Sequence, residues 1–316
     1  MKPMVPPAPE GPIDSIRQPY MENIRCWSDV AEILKRELIS QQKLELITEN
    51  HVCFHPLKTF GEVWNIHKTA LKNFVTLLCG YLQFPFILLQ NPCKTHTLDY
   101  EEMLRRSPTL SLLSVALYEI GLTLDEVPTF DICSLFSDED LSQMDEENRD
   151  RAVEESYALV EGVLRILRPR IVIVCQCVTN QGKWKSGQDG EKLWSWKPAR
   201  NPLARELCSS LTAFRNYEVQ EVSLGNHVIY AVKGRHPIGV IRYDDEDGGG
   251  RLKFQALIRQ MFVPCANIQR LELAEALTKF QNSVSVLMQP LRNCNGWRDN
   301  WQKTDREAPI PRIMIS

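Results

Sequence analysis

Three short polar clusters in this chain combine residue types that can handle a leaving group or a water molecule. Asn91-Pro92-Cys93-Lys94 sets an amide, a thiol and a cation within four positions. Asp131, closely followed by Cys133-Ser134, supplies a carboxylate. Arg235-His236-Pro237-Ile238-Gly239 supplies an imidazole beside a guanidinium. A histidine can donate to a developing anion, an amide can orient a water, and a carboxylate can accept from donors on a ligand. Each cluster alone also reads as turn chemistry, because Asn, Asp, Pro and Gly are turn formers and a buried histidine commonly bonds backbone. Their order along the chain is the informative part.

Two other groupings carry metal or redox residue types. His51-Val52-Cys53-Phe54-His55 would place two imidazoles and a thiol on one side of a strand, without a visible fourth ligand. Cys175-Gln176-Cys177 closes an apolar run, where a thiol behaves as a small core side chain. The sequence holds no CxxC pair, so no zinc ribbon or iron–sulfur site of usual spacing is expected, and no cofactor is implied. Residues 181–205 set Lys183, Lys185, Lys192, Lys197, Arg200 and Arg205 against Asp189 and Glu191, with Trp184, Trp194 and Trp196 interleaved. Cations and aromatics in one groove suit a nucleic-acid strand. A loop that contacts a protein has the same composition.

The elements that must position these clusters alternate. Helical regions are expected over 27–47 and 60–82, the second from Val63, Ile66, Ala70, Phe74, Leu77 and Leu78 at steps of three and four. Phe84 to Leu89 is an apolar run too short for a helix, and Val127 to Cys133 reads as a second strand. Leu110 to Ile120 marks a helix closed by Gly121, and Val153 to Leu167 a long one stopped at Arg168-Pro169. Ile171-Val-Ile-Val-Cys175 is β-branched and apolar throughout, the pattern of a strand in the middle of a parallel sheet with both faces covered. A helix over 202–214, extended runs around Gly225-Asn226 and a helix over 252–262 follow, then a helical extension to about Met288. This order implies a doubly wound α/β sheet. Ligands of such sheets bind beyond the carboxyl ends of the strands, where the three polar clusters fall.

At those strand ends the chain resembles the uracil-DNA glycosylase superfamily, over roughly residues 60–262. Leu88-Leu-Gln-Asn-Pro-Cys93 resembles the Gly-x-Asn-Pro-Gly motif of the mismatch-specific and single-strand-selective branches. Arg235-His-Pro-Ile-Gly239 resembles the His-Pro-Ser motif and its wedge loop, and Leu167 to Cys175 resembles the helix, Lys-Pro and apolar strand between them. The resemblance implies a three-layer α/β/α sandwich with a central, mostly parallel sheet and helical N- and C-terminal extensions. It implies base excision: the nucleotide leaves the stack and its base enters a pocket. His236 would stabilise the departing base and Asn91 would place the attacking water. Asp131 and Cys93 would line the base pocket, and Arg235, Val240 and Ile241 would contact DNA, the last two as an apolar wedge. Lys183, Lys185, Trp194 and Trp196 extend that DNA surface. Several departures modify the expectation, among them Cys93 in place of the glycine after Asn-Pro. Leu89 stands where the family has Gly and crowds the flipped nucleotide, and Ile238 stands where it has Ser and removes a phosphate contact; in the alternative reading of an inactive module the two close the pocket. Asp131, as a carboxylate, offers acceptors only and suits an amino-bearing edge better than uracil's imide. Asp244-Asp-Glu-Asp247, just past the wedge, repels phosphates.

Composition sets the remaining bounds. The 316 residues carry a net charge of −3, so the whole-molecule field does not attract nucleic acid. Residues 1–20 read as a loose proline-rich arm and 21–262 as the α/β domain, with the basic Trp-rich insertion at 181–200 and a helical extension and tail over 263–316. No secretory h-region or membrane span is read and the ten cysteines read as free thiols, so an intracellular protein of nucleus or cytoplasm is expected. The partners expected are single- or double-stranded DNA and, through the helical extensions, a protein. The alternative function is a catalytically inactive module on the same fold that binds nucleic acid or protein.

Overall fold

The computed structural model describes residues 26–41, 43–176, 184–185, 195–242 and 249–306, with backbone alone at 184–185, 195–196, 241–242, 249 and 285–306. In chain order, α1 (Trp27–Ser40), β1 (Leu46–Ile47), α2 (His55–Val63), α3 (Lys68–Leu78) and β2 (Gly80–Tyr81) precede the main sheet. Then come β3 (Phe86–Leu89), α4 (Tyr100–Arg106), α5 (Pro108–Tyr118), β4 (Thr129–Asp131), α6 (Asp138–Gln143), α7 (Glu146–Leu167) and β5 (Ile171–Val174). Next are β6 (Trp184–Lys185), β7 (Ser195–Trp196), α8 (Pro202–Glu206) and α9 (Leu211–Arg215). The chain continues through β8 (Val219–Leu224), β9 (His227–Lys233), α10 (Pro237–Arg242) and α11 (Gly249–Arg306).

Five strands form the main sheet in the order β4-β3-β5-β9-β8. The β4, β3, β5 and β9 strands are parallel and β8 is an antiparallel edge. The all-apolar β5 lies at the centre, as its composition requires of a strand covered on both faces. Alternate residues feed two cores. Ile87, Leu89, Ile171, Ile173, Tyr230 and Val232 pack with α1, α5 and α11 through Trp27, Leu113, Phe254 and Phe262. Phe86, Leu88, Val172, Val174, Ile229 and Ala231 pack with α2, α3 and α7 through Leu57, Phe74, Tyr157 and Leu164. Helices thus cover both faces of an α/β sheet, and each fully buried Val or Ile in β5 contributes about 2 kcal/mol.

Local chemistry explains where elements stop. Arg168 adopts a left-handed conformation (φ 49°) before Pro169 and ends α7. Gly225, at φ 68°, takes the first position of the two-residue β8–β9 turn, which a hairpin of this length favours.

The expected helix over 60–82 is instead α2 and α3. Asn65 turns left-handed (φ 49°) between them, and the His67 side chain caps α3 by accepting from the Thr69 N–H. Val63, counted on the buried face by its spacing, is 64% exposed. The first helix stops at Ser40 rather than running to Ile47. The 202–214 segment breaks into α8 and α9 because its turn carbonyls are held from outside. Lys233 Nζ donates to the Glu206 and Cys208 carbonyls at 2.8 and 2.7 Å, and Gln176 Nε2 donates to the Leu207 carbonyl. The 252–262 helix and the C-terminal extension are one continuous helix, α11, that stays buried in the core as far as Ala266.

Candidate functional site

The parallel register brings the strand ends level. Leu89 pairs with Asp131, and Val174 with Lys233. Backbone bonds carry the alignment one residue further: Cys133 N–H donates to the Gln90 carbonyl at 2.9 Å and Gly234 N–H to the Val174 carbonyl at 2.9 Å. Beyond this edge opens a cavity of about 680 Å³, whose lining includes Asn91, Cys93, Asp131, Arg235 and His236. Ligand pockets generally span ~300–1,000 Å³, so a nucleotide-sized occupant fits. Leu89 and Ile238 also line the cavity; with both in place, its volume stays within that range.

His236 sits where β9 leads into α10, and its Nδ1 accepts from the Ile238 N–H at 3.3 Å. That bond assigns the ring proton of the neutral form to Nε2. Burial lowers the His236 pKa from 6.5 to about 4, so the ring is uncharged at neutral pH and Nε2–H is a donor without a full charge.

Asp131 lies at the end of β4, half-buried against the cavity, with no side-chain hydrogen bond among the described residues. Burial raises its pKa from 3.8 to about 7. Near neutrality the protonated and ionised forms are both populated. The protonated form offers an O–H donor and a carbonyl acceptor, as an asparagine amide would. The acceptors-only expectation applies to the ionised form alone.

Asn91 Nδ2 donates to Asp138 Oδ1 at 3.2 Å and lies 3.5 Å from the Pro92 carbonyl. These contacts occupy the amide's donors and leave Oδ1 as its acceptor. Asp138, in the first turn of α6, was not singled out in the sequence. The signal was present as a capping box, in which Ser137 and Asp140 exchange hydrogen bonds and fix the helix start over the cavity. Three other supports lacked a sequence signal. Asn73 Nδ2 reaches the carbonyls of His96 and Leu98, both at 2.8 Å, and pins the loop after β3. His96 Nδ1 donates to the Cys93 carbonyl at 2.8 Å. On the opposite wall, Ser209 Oγ donates to the Gly234 carbonyl at 2.6 Å.

Cys93 is exposed at the rim, its Sγ 2.8 Å from Thr95 Oγ1. Arg235 and Lys94 are the basic side chains of the lining, beside the carboxyl groups of Asp131, Asp138 and Glu139.

Other expected site residues fall elsewhere. Val240 is fully buried between α5, α10 and α11, so it cannot enter a duplex as a wedge without leaving the core. The resemblance implied a wedge loop after His-Pro, but the chain forms α10 there and Val240 is buried. Ile241 lies on the same helix. Lys185 and Trp196 lie on β6 and β7, which pair antiparallel with Lys185 opposite Ser195. Lys183, Trp194, Cys177 and the 244–247 acidic run lie outside the described residues. The His51-x-Cys53-x-His55 segment is not a strand: His51 caps a 3-10 turn by accepting from the Cys53 N–H, and His55 begins α2. Cys175, just past β5, lines the cavity with its thiol pKa raised to about 12 by burial, so it is not a ready thiolate. Among the described residues no helix is long and apolar enough to cross a membrane, and no cluster of three or more His, Cys, Asp or Glu could hold a metal ion.

No protein-family model and no curated protein matches this chain.

Proposed function

We propose that the cavity is the base pocket of a diverged DNA base-excision glycosylase, built on a uracil-DNA glycosylase-like three-layer sandwich. The observation that carries this reading is the convergence of an uncharged imidazole donor, an oriented amide and a partly protonated carboxyl on one nucleotide-sized cavity.

Breaking an N-glycosidic bond leaves the bonding pair on the departing base and a cationic sugar carbon. His236 Nε2–H, aimed at a base oxygen, stabilises that negative charge most where it has developed furthest, in the transition state. Asn91 Oδ1 holds the water that bonds to the sugar carbon, and the water's released proton has an acceptor nearby in the Asp138 carboxylate. Placement matters more than basicity on such a dissociative route. Protonated Asp131 pairs with an imide edge, accepting from its N–H and donating to its carbonyl, so a uracil-like base is the matched substrate. Arg235 and Lys94, the basic side chains of the lining, supply phosphate contacts.

A second reading has its own observation. Asp131, Asp138 and Glu139 line the cavity against the two cations Lys94 and Arg235, in a chain of net charge −3. That balance disfavours a polyanion and suits a binding module that has lost catalysis.

A strand-cleavage assay separates them. Labelled single- and double-stranded oligonucleotides carrying uracil, hypoxanthine or mismatched thymine are incubated with the protein and then treated with alkali. Uracil-dependent product that disappears in Asn91→Ala/His236→Ala is expected. No product, together with no DNA retention at low salt, rejects the glycosylase reading.

A further inference from the structure

The long C-terminal helix leaves the body of the protein with an apolar stripe that nothing in the described chain covers. Polar ties hold it to the body through Gln269 to Glu126, Arg270 Nη2 to the Ile120 carbonyl at 3.0 Å, and Glu272 Oε1 accepting from the Leu44 N–H at 2.9 Å. Every residue from Leu273 to Val284 is exposed. At 1.5 Å per residue, the stretch from Leu273 to Arg306 extends about 50 Å.

Along that stretch Leu273, Leu277, Phe280 and Val284 are 61%, 52%, 65% and 38% exposed. Their separations are four, three and four residues, and the sequence continues the spacing at Leu287. This is a 3.5-residue repeat, which keeps one seam facing a partner only when two helices supercoil. A helix lying on a globular core shows a wider, 3.6-residue stripe instead. From these positions we infer that the projecting part of this helix pairs with the same helix of a second copy of the chain, through a seam of Leu273, Leu277, Phe280 and Val284.

The residues beside the seam fit a second copy. With Leu277 and Val284 at the a positions, the e and g positions are Ala274, Ala276, Gln281 and Ser283. They are small or uncharged, so identical helices meet without like-charge repulsion, and backbones can approach closely. Glu275 and Lys279, which pair with each other at 4.0 Å, lie away from the seam. The stretch from Leu273 to Val284 carries one cation and one anion, with no basic face to hold an anionic bilayer.

Scaling whole-residue surfaces of roughly 150–220 Å² by these exposures gives on the order of 800 Å² buried for the pair. That lies below the ~1,200–2,000 Å² of standard specific interfaces, so the association is weak. A concentration-dependent dimer follows.

The test is the molar mass of the full chain by light scattering and sedimentation from about 1 to 100 µM. The expected result is a rise from the 36.4 kDa monomer toward twice that mass. Leu277→Glu/Phe280→Glu should weaken the association at least ~100-fold and stay monomeric throughout. Lys279→Ala, off the seam, should dimerise as the parent does. Circular dichroism and a thermal melt check that the variants remain folded; Phe280→Gln alone is the gentler replacement if the double variant does not. The inference is overturned if the parent chain stays monomeric at about 100 µM. It is overturned equally if the folded seam variants keep the parental mass, or if the monomeric chain binds phosphatidylcholine/phosphatidylserine vesicles through this stripe.

Discussion

Replacing Asp131 with asparagine keeps the shape of the cavity wall and removes the charged form that burial penalises. Between 3.8 and about 7, the folded protein holds a proton on this carboxyl that the unfolded chain has already released. The stability linked to it is therefore full below the unfolded pKa and is lost as pH rises through the folded one. About three pH units at ~1.4 kcal/mol each cap the loss at ~4 kcal/mol. Water entering the cavity solvates the carboxylate and brings the expected loss to about 2–4 kcal/mol. The asparagine carries no charge at any pH. Asp131→Asn should therefore match the parent near pH 4 and exceed it by about 2–4 kcal/mol near pH 8. Urea unfolding followed by tryptophan fluorescence at pH ~4, ~6 and ~8 reads the difference directly. A difference that does not grow with pH would refute the reasoning. A variant less stable than the parent at pH 8 would mean that Asp131 is ionised and held by a partner.

His236 should show the opposite dependence. Its folded pKa of about 4 lies below the ordinary 6.5, so stability present above 6.5 falls by about 3 kcal/mol as pH drops through that window. His236→Gln should flatten this limb of the urea-derived profile. Asn73→Ala removes two 2.8 Å bonds to the loop after β3 and should cost about 1–3 kcal/mol. Hydrogen exchange of residues 93–98 should quicken with it. Gly80 holds φ 137°, and a Cβ there would stand 2.7 Å from the Glu126 carbonyl oxygen, so Gly80→Ala should lower the melting temperature, by about 2 kcal/mol or more in stability.

Much of the scaffold was legible because its signals are local. The apolar β-branched run Ile171 to Val174 identifies the central strand, since hydrophobicity on successive residues needs cover on both faces. Gly225-Asn226 and Arg168-Pro169 mark their turn and helix stop by backbone sterics alone. The same locality misled at α2 and α3, where a periodic pattern continues across a left-handed Asn65 whose conformation depends on packing. The wedge that the resemblance implied at Val240 differs for another reason: the residues after His236-Pro237 coil into a helix packed on α5 and α11, elements distant in sequence.

The cavity divides in the same way. Sequence order alone set Asn91, Asp131 and His236 at the ends of strands, because a parallel sheet puts those ends on one edge. Only the folded chain decided their chemical states. The Ile238 N–H fixes the imidazole tautomer, Asp138 orients the Asn91 amide, and burial brings Asp131 to about 7. Each of these depends on which groups, and how little water, surround a side chain, and composition at one position does not encode that. The seam on α11 was decided by both. Its spacing is written in the chain, but the exposure that leaves it for a second copy exists only once the body has folded around residues 249–272.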